Sequence, residues 1–378
     1  MRLKSHLISR VAEKMLSREA LEAKREKVEQ ARVKSGEPHC VEFFHDPADP
    51  YSQLLDQALL DFQSRYTVDL VKHLVGPPDA DAAPEREKLH AYAISDAGRL
   101  AQCAGFDFKY EKAPPAENTV QANARREALG HYMGGMIYYG EEWYWGLDRL
   151  HYLESRLSEL GLRKDSGKDP IFAPPLVPTS TGDTGAELHW YLSFRSPYSA
   201  IVRDRVKDLA AAYGAKLKLR FVLPMVMRGL PVSPLKKKYI PRDTAREAHR
   251  LGVEFGRICD PVGKPVEQAY SLLPWARAQG RDYAFAESWL RGVWAEGIDA
   301  GQMAGLRKII ERAGLDWTEA KGVLGSEDWR AEAETNRVEL MDYGIWGVPS
   351  FRVGETITWG QDRLWVIDDA FKSILGSP

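Results

Sequence analysis

The chain carries one segment pattern twice, so its fold must be one that can be built in tandem. VEFFHDPADPYS, from Val41, and LHWYLSFRSPYS, from Leu188, share Pro-Tyr-Ser at the same place. At the same offset, without a gap, AYAISDAGRLAQCAGFDF from Ala91 falls on KYIPRDTAREAHRLGVEF from Lys238. Tyr92 meets Tyr239, Asp96 meets Asp243, Arg99 meets Arg246 and Gly105 meets Gly252. Further on, at a wider offset, Trp145-Gly146 and Asp148-Arg149-Leu150 return as Trp359-Gly360 and Asp362-Arg363-Leu364. The wider spacing predicts about two extra helices in the second copy between Phe255 and Gly347, where Tyr283–Leu324 has helical periodicity.

Each copy reads in one order. In the second it is a strand (Leu188–Ser193), a helix opened by Ser-Pro, a strand (Lys216–Val222), a helical block, two short strands around a Gly turn (Ser350–Thr358) and a last helix. The crossover into LKLRFV is long enough for a parallel pair, which makes the chain α/β. The segment RKDSGKDPIFAPPLVPTSTGDTGAE is rich in turn formers and lacks a sustained apolar period, so it reads as a linker over 163–186. The expected organisation is a charged N-terminal helix (1–40), a first copy (41–162), the linker, and a second copy (187–378). Leu7, Val11 and Met15 lie at helical spacing in the first segment. Interleaved Glu13, Glu19, Glu22, Glu26 and Glu29 favour a solvated helix over a membrane-surface one.

Composition excludes several classes. With 52 Lys+Arg against 54 Asp+Glu, a net charge of −2 gives no global case for nucleic acid. Cys40, Cys103 and Cys259 form neither a CxxC redox pair nor a zinc-ligand spacing, so free, buried thiols and no metal site are expected. The sequence has no apolar run of the roughly 20 residues a bilayer span needs, and Met1–Leu16 lacks the apolar core of a secretory signal. A reducing, cytoplasmic setting and no membrane partner are the expectation.

Four places carry candidate chemistry. Ser196-Pro197 stands where a strand gives way to a helix, with Ser suited to the N-cap and Pro to the first helical position. There the helix N–H groups favour an anion, and a hydroxyl adds one donor. Capping alone also accounts for Ser196. Val348-Pro349 precedes a strand and is a candidate cis peptide that would leave the Val348 backbone as an edge for an extended peptide; an ordinary strand-start proline is the alternative. Gln361 and Asp362 are read as a cap and first-turn pair of the last helix, with Asp362 able to meet an ammonium. Lys236-Lys237-Lys238 is a basic run before a helix, by default a solvated face, from which one lysine can turn inward to a carboxylate. His189 alternates with apolar neighbours and reads as a strand residue rather than a base.

Taken together, FRSPYS, KKKYIPRD, GVPSF and WGQDRL resemble the 2-hydroxychromene-2-carboxylate isomerase and kappa-class glutathione transferase family, in the DsbA-like branch of thioredoxin folds. The resemblance covers Glu187 to Phe371 and implies two tandem thioredoxin-like domains, each with a helical insertion. It implies glutathione as cofactor, with its sulfur on Ser196, its cysteinyl backbone on Val348 before Pro349, its γ-glutamyl group on Gln361 and Asp362, and a further contact from Lys236. One departure stands out. The family shows an Asn in a Gly-Asn-x-Pro-Pro segment, where this chain has MVMRGLPVSP; Arg195 is the charged neighbour of the serine that the family motif does not demand.

The first copy lacks this chemistry: Asp49 replaces Ser196, Leu89 replaces Lys236 and Gly135 replaces Pro349. A carboxylate repels a thiolate. This copy is therefore expected to be structural, packing as an intramolecular pseudo-dimer partner, with a homodimer as the other assembly. The implied reaction is attack of the glutathione thiolate on a small hydrophobic aromatic electrophile, ending in isomerisation or transfer, with Trp190, Tyr198, Met225 and Met227 as candidate walls. Two rival classes are a non-catalytic thioredoxin-fold scaffold, and a disulfide oxidoreductase, which the missing CxxC opposes.

Overall fold

The computed structural model describes every residue except Met1, Asp81, Ala82, Pro84, Lys168, Pro231, Ser377 and Pro378, and describes side chains from Leu7 onward. It resolves into two compact units. One comprises Glu22–Pro175 with Val232–Tyr239; the other comprises Met1–Leu21, Leu176–Pro231 and Ile240–Pro378.

The N-terminal segment is two helices, α1 (Arg2–Leu16) and α2 (Arg18–Ser35), not the single long helix its periodicity suggests. The break is at Ser17, whose hydroxyl accepts the Ala20 N–H at 3.1 Å and so starts a new helix. The first unit then runs β1 (Cys40–His45), α3 (Pro50–Arg65), β2 (Asp69–Leu74), α4 (Arg86–Ala104), α5 (Val120–Ala128), β3 (Met136–Tyr139), β4 (Glu142–Trp145) and α6 (Gly146–Glu159). Its sheet has the order β2-β1-β3-β4, with β1 and β2 parallel and the other two pairings antiparallel.

The second unit repeats this plan as β5 (Glu187–Leu192), α7 (Pro197–Ala212), β6 (Lys216–Phe221) and α8 (Pro234–Leu251), closing with β7 (Ser350–Val353), β8 (Thr356–Trp359) and α14 (Leu364–Gly376). Sheet order and sense are the same, β6-β5-β7-β8. The register matches as well: Cys40 faces Asp69 in one copy and Glu187 faces Lys216 in the other. Between α8 and β7 lie five helices, α9 (Lys264–Ala278), α10 (Asp282–Trp294), α11 (Met303–Arg312), α12 (Trp317–Val323) and α13 (Trp329–Asp342), where the first copy has only α5. The insertion is thus larger than the two helices its length suggests, because Gly280, Gly297, Gly314 and Gly325, all at positive φ, cut it into short pieces.

Equivalent residues do equivalent work. Asp49 and Ser196 each cap the helix that follows, accepting the N–H three residues on at 2.9 and 3.1 Å, and a proline fills the first helical position in both. Gly105 and Gly252 sit at φ 74° and 65° just past the ends of α4 and α8, a backbone conformation that favours glycine. Tyr51 and Tyr198 each donate a 2.8 Å hydrogen bond to a buried carboxylate, Asp96 and Asp243. The second unit's core joins the sheet (Leu188, Trp190, Phe221, Phe351) to α7, α9, α10, α11 and α14 through Val206, Tyr270, Trp289, Ile309 and Phe371, all fully buried.

Three sequence expectations need correction here. Cys40 and Cys103 are exposed, not buried, because both lie on solvent-facing positions of their elements. Cys259 is half-buried, and burial raises its thiol pKa to about 11. Lys236-Lys237-Lys238 lies inside α8 rather than before it, since the helix already starts at Pro234. Among the described residues no helix is long and apolar enough to cross a membrane, and no group of three His, Cys, Asp or Glu could hold a metal.

Candidate functional site

The strand-to-helix step at β5–α7 builds the centre of the site. The backbone turns at Ser193, whose carbonyl accepts the Ser196 N–H at 2.9 Å, and Ser196 takes an extended conformation (φ −94°, ψ 116°) as N-cap of α7. Its Oγ spends an acceptor lone pair on the Ser199 N–H and lies 3.5 Å from the Val348 carbonyl. At that length the second contact is weak, so the hydroxyl proton is available to a better acceptor.

The Val348-Pro349 bond is cis, as the sequence suggests it can be. Val348 is half-buried, Pro349 is buried, and among the described residues no backbone carbonyl accepts the Val348 N–H. The unpaired donor beside Ser196 is what an extended peptide ligand needs. Gly347 holds this segment against Trp359: a Cβ there would lie 2.0 Å from the indole. The site therefore brings together Ser196, Val348 and Pro349 at one end of the two neighbouring antiparallel strands β5 and β7.

Gln361 and Asp362 precede α14, which begins at Leu364, rather than forming its cap and first turn. The turn closes instead through the Arg363 N–H on the Gly360 carbonyl at 3.2 Å. Gln361 is 2% exposed, and its amide donates to Glu247 Oε2 at 2.6 Å while Arg205 Nη1 donates to its Oε1 at 3.0 Å. Its side chain is thus turned inward. Asp362 is more open, with Arg363 Nη1 at 3.4 Å. Arg205 and Glu247 are not singled out by any motif in the sequence.

Lys236 groups with the first unit; burial depresses its ammonium pKa. Arg195 is engaged at the surface in a two-pronged ion pair with Asp260 at 2.8 and 2.7 Å. Trp190 is fully buried in the core and so cannot wall an open cavity; Tyr198 is committed to Asp243; Met225 and Met227 are half-buried in a short 3-10 turn after β6. His189 is a strand residue whose Nδ1 accepts from Arg220 Nε at 3.0 Å. Burial, then Arg352 and Arg220, lower its pKa to about 4.

The first copy shows what the same scaffold becomes without the serine. Asp49 caps α3, and burial next to Asp46 raises its carboxyl to about 7. Gly135 stands so close that a Cβ there would lie 3.3 Å from Asp49 Oδ2. The carboxylate fills the space in front of its helix.

A parallel βαβ joined to an antiparallel ββα, with a cis-proline strand facing the first helix's N-terminus, defines a thioredoxin-type domain, with the helical insertion placed between α8 and β7. Residues 187–372 match the family model of the DSBA-like thioredoxin domain, and the C-terminal half of the chain is a domain of that kind. Two 2-hydroxychromene-2-carboxylate isomerases are similar to this half. The one from Sphingobium xenophagum is 26% identical over 47% of this chain and 93% of its own length. The one from Pseudomonas putida is 24% identical over 48% and 92%. A solved 2-hydroxychromene-2-carboxylate isomerase aligns with 50% of this chain and 95% of its own, at 20% identity and a TM-score of 0.43.

Proposed function

We propose that the C-terminal domain is a glutathione-dependent isomerase or transferase acting on a small hydrophobic aromatic electrophile, with Ser196 holding the glutathione sulfur as thiolate. The observation that carries this reading is the Ser196 hydroxyl at the N-terminus of α7, 3.5 Å from the carbonyl of the cis Val348-Pro349 pair. A thioredoxin fold reads extended thiol peptides at such a place.

The residues present fit the tripeptide. The α7 N-terminus and the Ser196 O–H would stabilise a negative sulfur, and the Val348 N–H and C=O would pair with a cysteinyl backbone. Asp362 is the carboxylate for an ammonium, and Lys236 is included on the family likeness alone. Gln361 supports Asp362 from behind. Bound glutathione supplies a thiolate nucleophile, the reactive form of a thiol. Disulfide exchange would need a protein thiol at residue 196, where the chain has a hydroxyl. The substrate class is carried over from the relatives, which are named for the isomerisation of 2-hydroxychromene-2-carboxylate.

The test is a titration of glutathione followed by calorimetry and by thiolate ultraviolet absorbance across pH. The expected result is saturable binding, with the bound thiol titrating below the roughly 8.5 of a free one. Absence of binding at millimolar glutathione overturns the proposal.

A further inference from the structure

The two copies differ as a set in one cluster, in which Glu247 and Gln361 are buried and Arg205 is half-buried. In the C-terminal copy Arg205 on α7, Glu247 on α8 and Gln361 in the turn before α14 are joined: Glu247 accepts the Gln361 amide at 2.6 Å, and Arg205 donates to both the side-chain and the main-chain oxygen of Gln361, at 3.0 and 3.1 Å. Glu247 is 1% exposed, and burial pulls down the Arg205 pKa against the opposing pull of Glu247 and Asp362. The repeat alignment places Ala58, Leu100 and Leu147 at these three positions of the N-terminal copy, and all three are buried there.

The same crossing of two helices and a turn can therefore be filled with apolar side chains. A buried ionic cluster is generally no more stable than such a filling, and often less so. Stability does not explain the polar set. Its geometry does suggest a use: residue 361 is held by main chain and side chain at once, which fixes the turn that presents Asp362.

Resting on the glutathione reading above, we propose that Arg205, Glu247 and Gln361 are positioning residues that set Asp362 to receive the γ-glutamyl ammonium, and so confer preference for γ-glutamyl thiols over shorter ones. None of the three needs to touch the ligand.

The test transplants the apolar set, as Arg205→Ala, Glu247→Leu and Gln361→Leu together, and compares binding of glutathione with that of cysteinylglycine, which lacks the γ-glutamyl group. The expected melting temperature is unchanged or higher. Glutathione affinity is expected to fall about tenfold or more, the scale of a hydrogen bond to a charged group, while cysteinylglycine affinity stays the same. Glu247→Gln, close to isosteric, guards against misfolding of the triple variant and should give a smaller loss with the same selectivity. Equal losses for the two thiols, or none, in the folded variants overturn this inference alone. A wild-type protein that binds neither thiol overturns the glutathione reading and this inference with it.

Discussion

Ser196 is asked to do two things, and two substitutions separate them. Its Oγ accepts the Ser199 N–H at 3.1 Å, a cap bond whose loss in Ser196→Ala should cost about 1 kcal/mol. For a unit of this size that lowers the melting temperature by roughly 2–4 °C. The same change removes the O–H proposed to meet the thiolate; a hydrogen bond to a charged group contributes roughly 1.5–3 kcal/mol, or about a 10–100-fold loss of glutathione affinity. Ser196→Asp behaves differently. Asp49 shows that a carboxylate caps this kind of helix, at 2.9 Å to the Ser52 N–H, so the aspartate should retain the cap while repelling the thiolate. At pH 8, where a carboxyl placed like that of Asp49 is ionised, the expected order of stability is Asp above Ala, and the expected order of affinity is Ala above Asp. Urea unfolding and calorimetry measure the two orders independently. If both variants rank the same way in both assays, binding merely follows folding, and the thiolate role of Ser196 is refuted.

Asp49 has a folded pKa of about 7, above its unfolded value, so the folded protein holds more protons between about pH 4 and 7. That contribution is present below pH 4 and is lost as pH rises through 7, on the order of 2–4 kcal/mol; Asp49→Asn, which retains a capping oxygen, should flatten this slope in urea midpoints taken from pH 5 to 8. His189 works in the opposite sense. Its folded pKa of about 4 lies below the ordinary value near 6.5, so its contribution is complete above pH 6.5 and is lost as pH falls through 4, roughly 3 kcal/mol; His189→Gln should remove part of the acid-side loss seen by circular dichroism. Gly347→Ala forces a methyl to within 2.0 Å of the Trp359 ring and should cost roughly 1–3 kcal/mol or more, with weakened thiol binding as the Val348 segment shifts; a variant as stable as the parent contradicts the packing described.

The repeat was legible because the capping and turn residues that fix a helix start (Asp49-Pro50, Ser196-Pro197) and a hairpin exit (Trp145-Gly146, Trp359-Gly360) are local in sequence. Strand β6 announces itself by the alternation in LKLRFV, and a proline ahead of a strand leaves a cis Val348-Pro349 bond open beside an ordinary strand-start proline. The break at Ser17 was not evident, since one serine inside a helical period reads as a surface residue unless its hydroxyl is known to cap. Trp190 looks in sequence like any aromatic near a strand end, and only the packing shows it fully buried. The inward turn of Gln361 depended on Arg205 and Glu247, more than a hundred residues away, so no motif around Gln361 could have announced it.

Two similar sheets in one chain raise a question of folding fidelity. Each central strand, β1 or β5, could in principle pair with the other copy's parallel neighbour while the chain is collapsing, a characteristic failure of repeated domains. The matching register of the two sheets would permit such an exchange; the side chains discourage it. Trp190 fills in one core the position that Phe43 fills in the other, so a hybrid sheet would be overfilled on one side and hollow on the other. Glu42 is matched to His73 and Arg125, whereas His189 is matched to Arg220; an exchange would bring His189 beside His73 with no carboxylate from Glu42. The difference between the two copies thus leaves each central strand better matched to its own neighbours than to the other copy's.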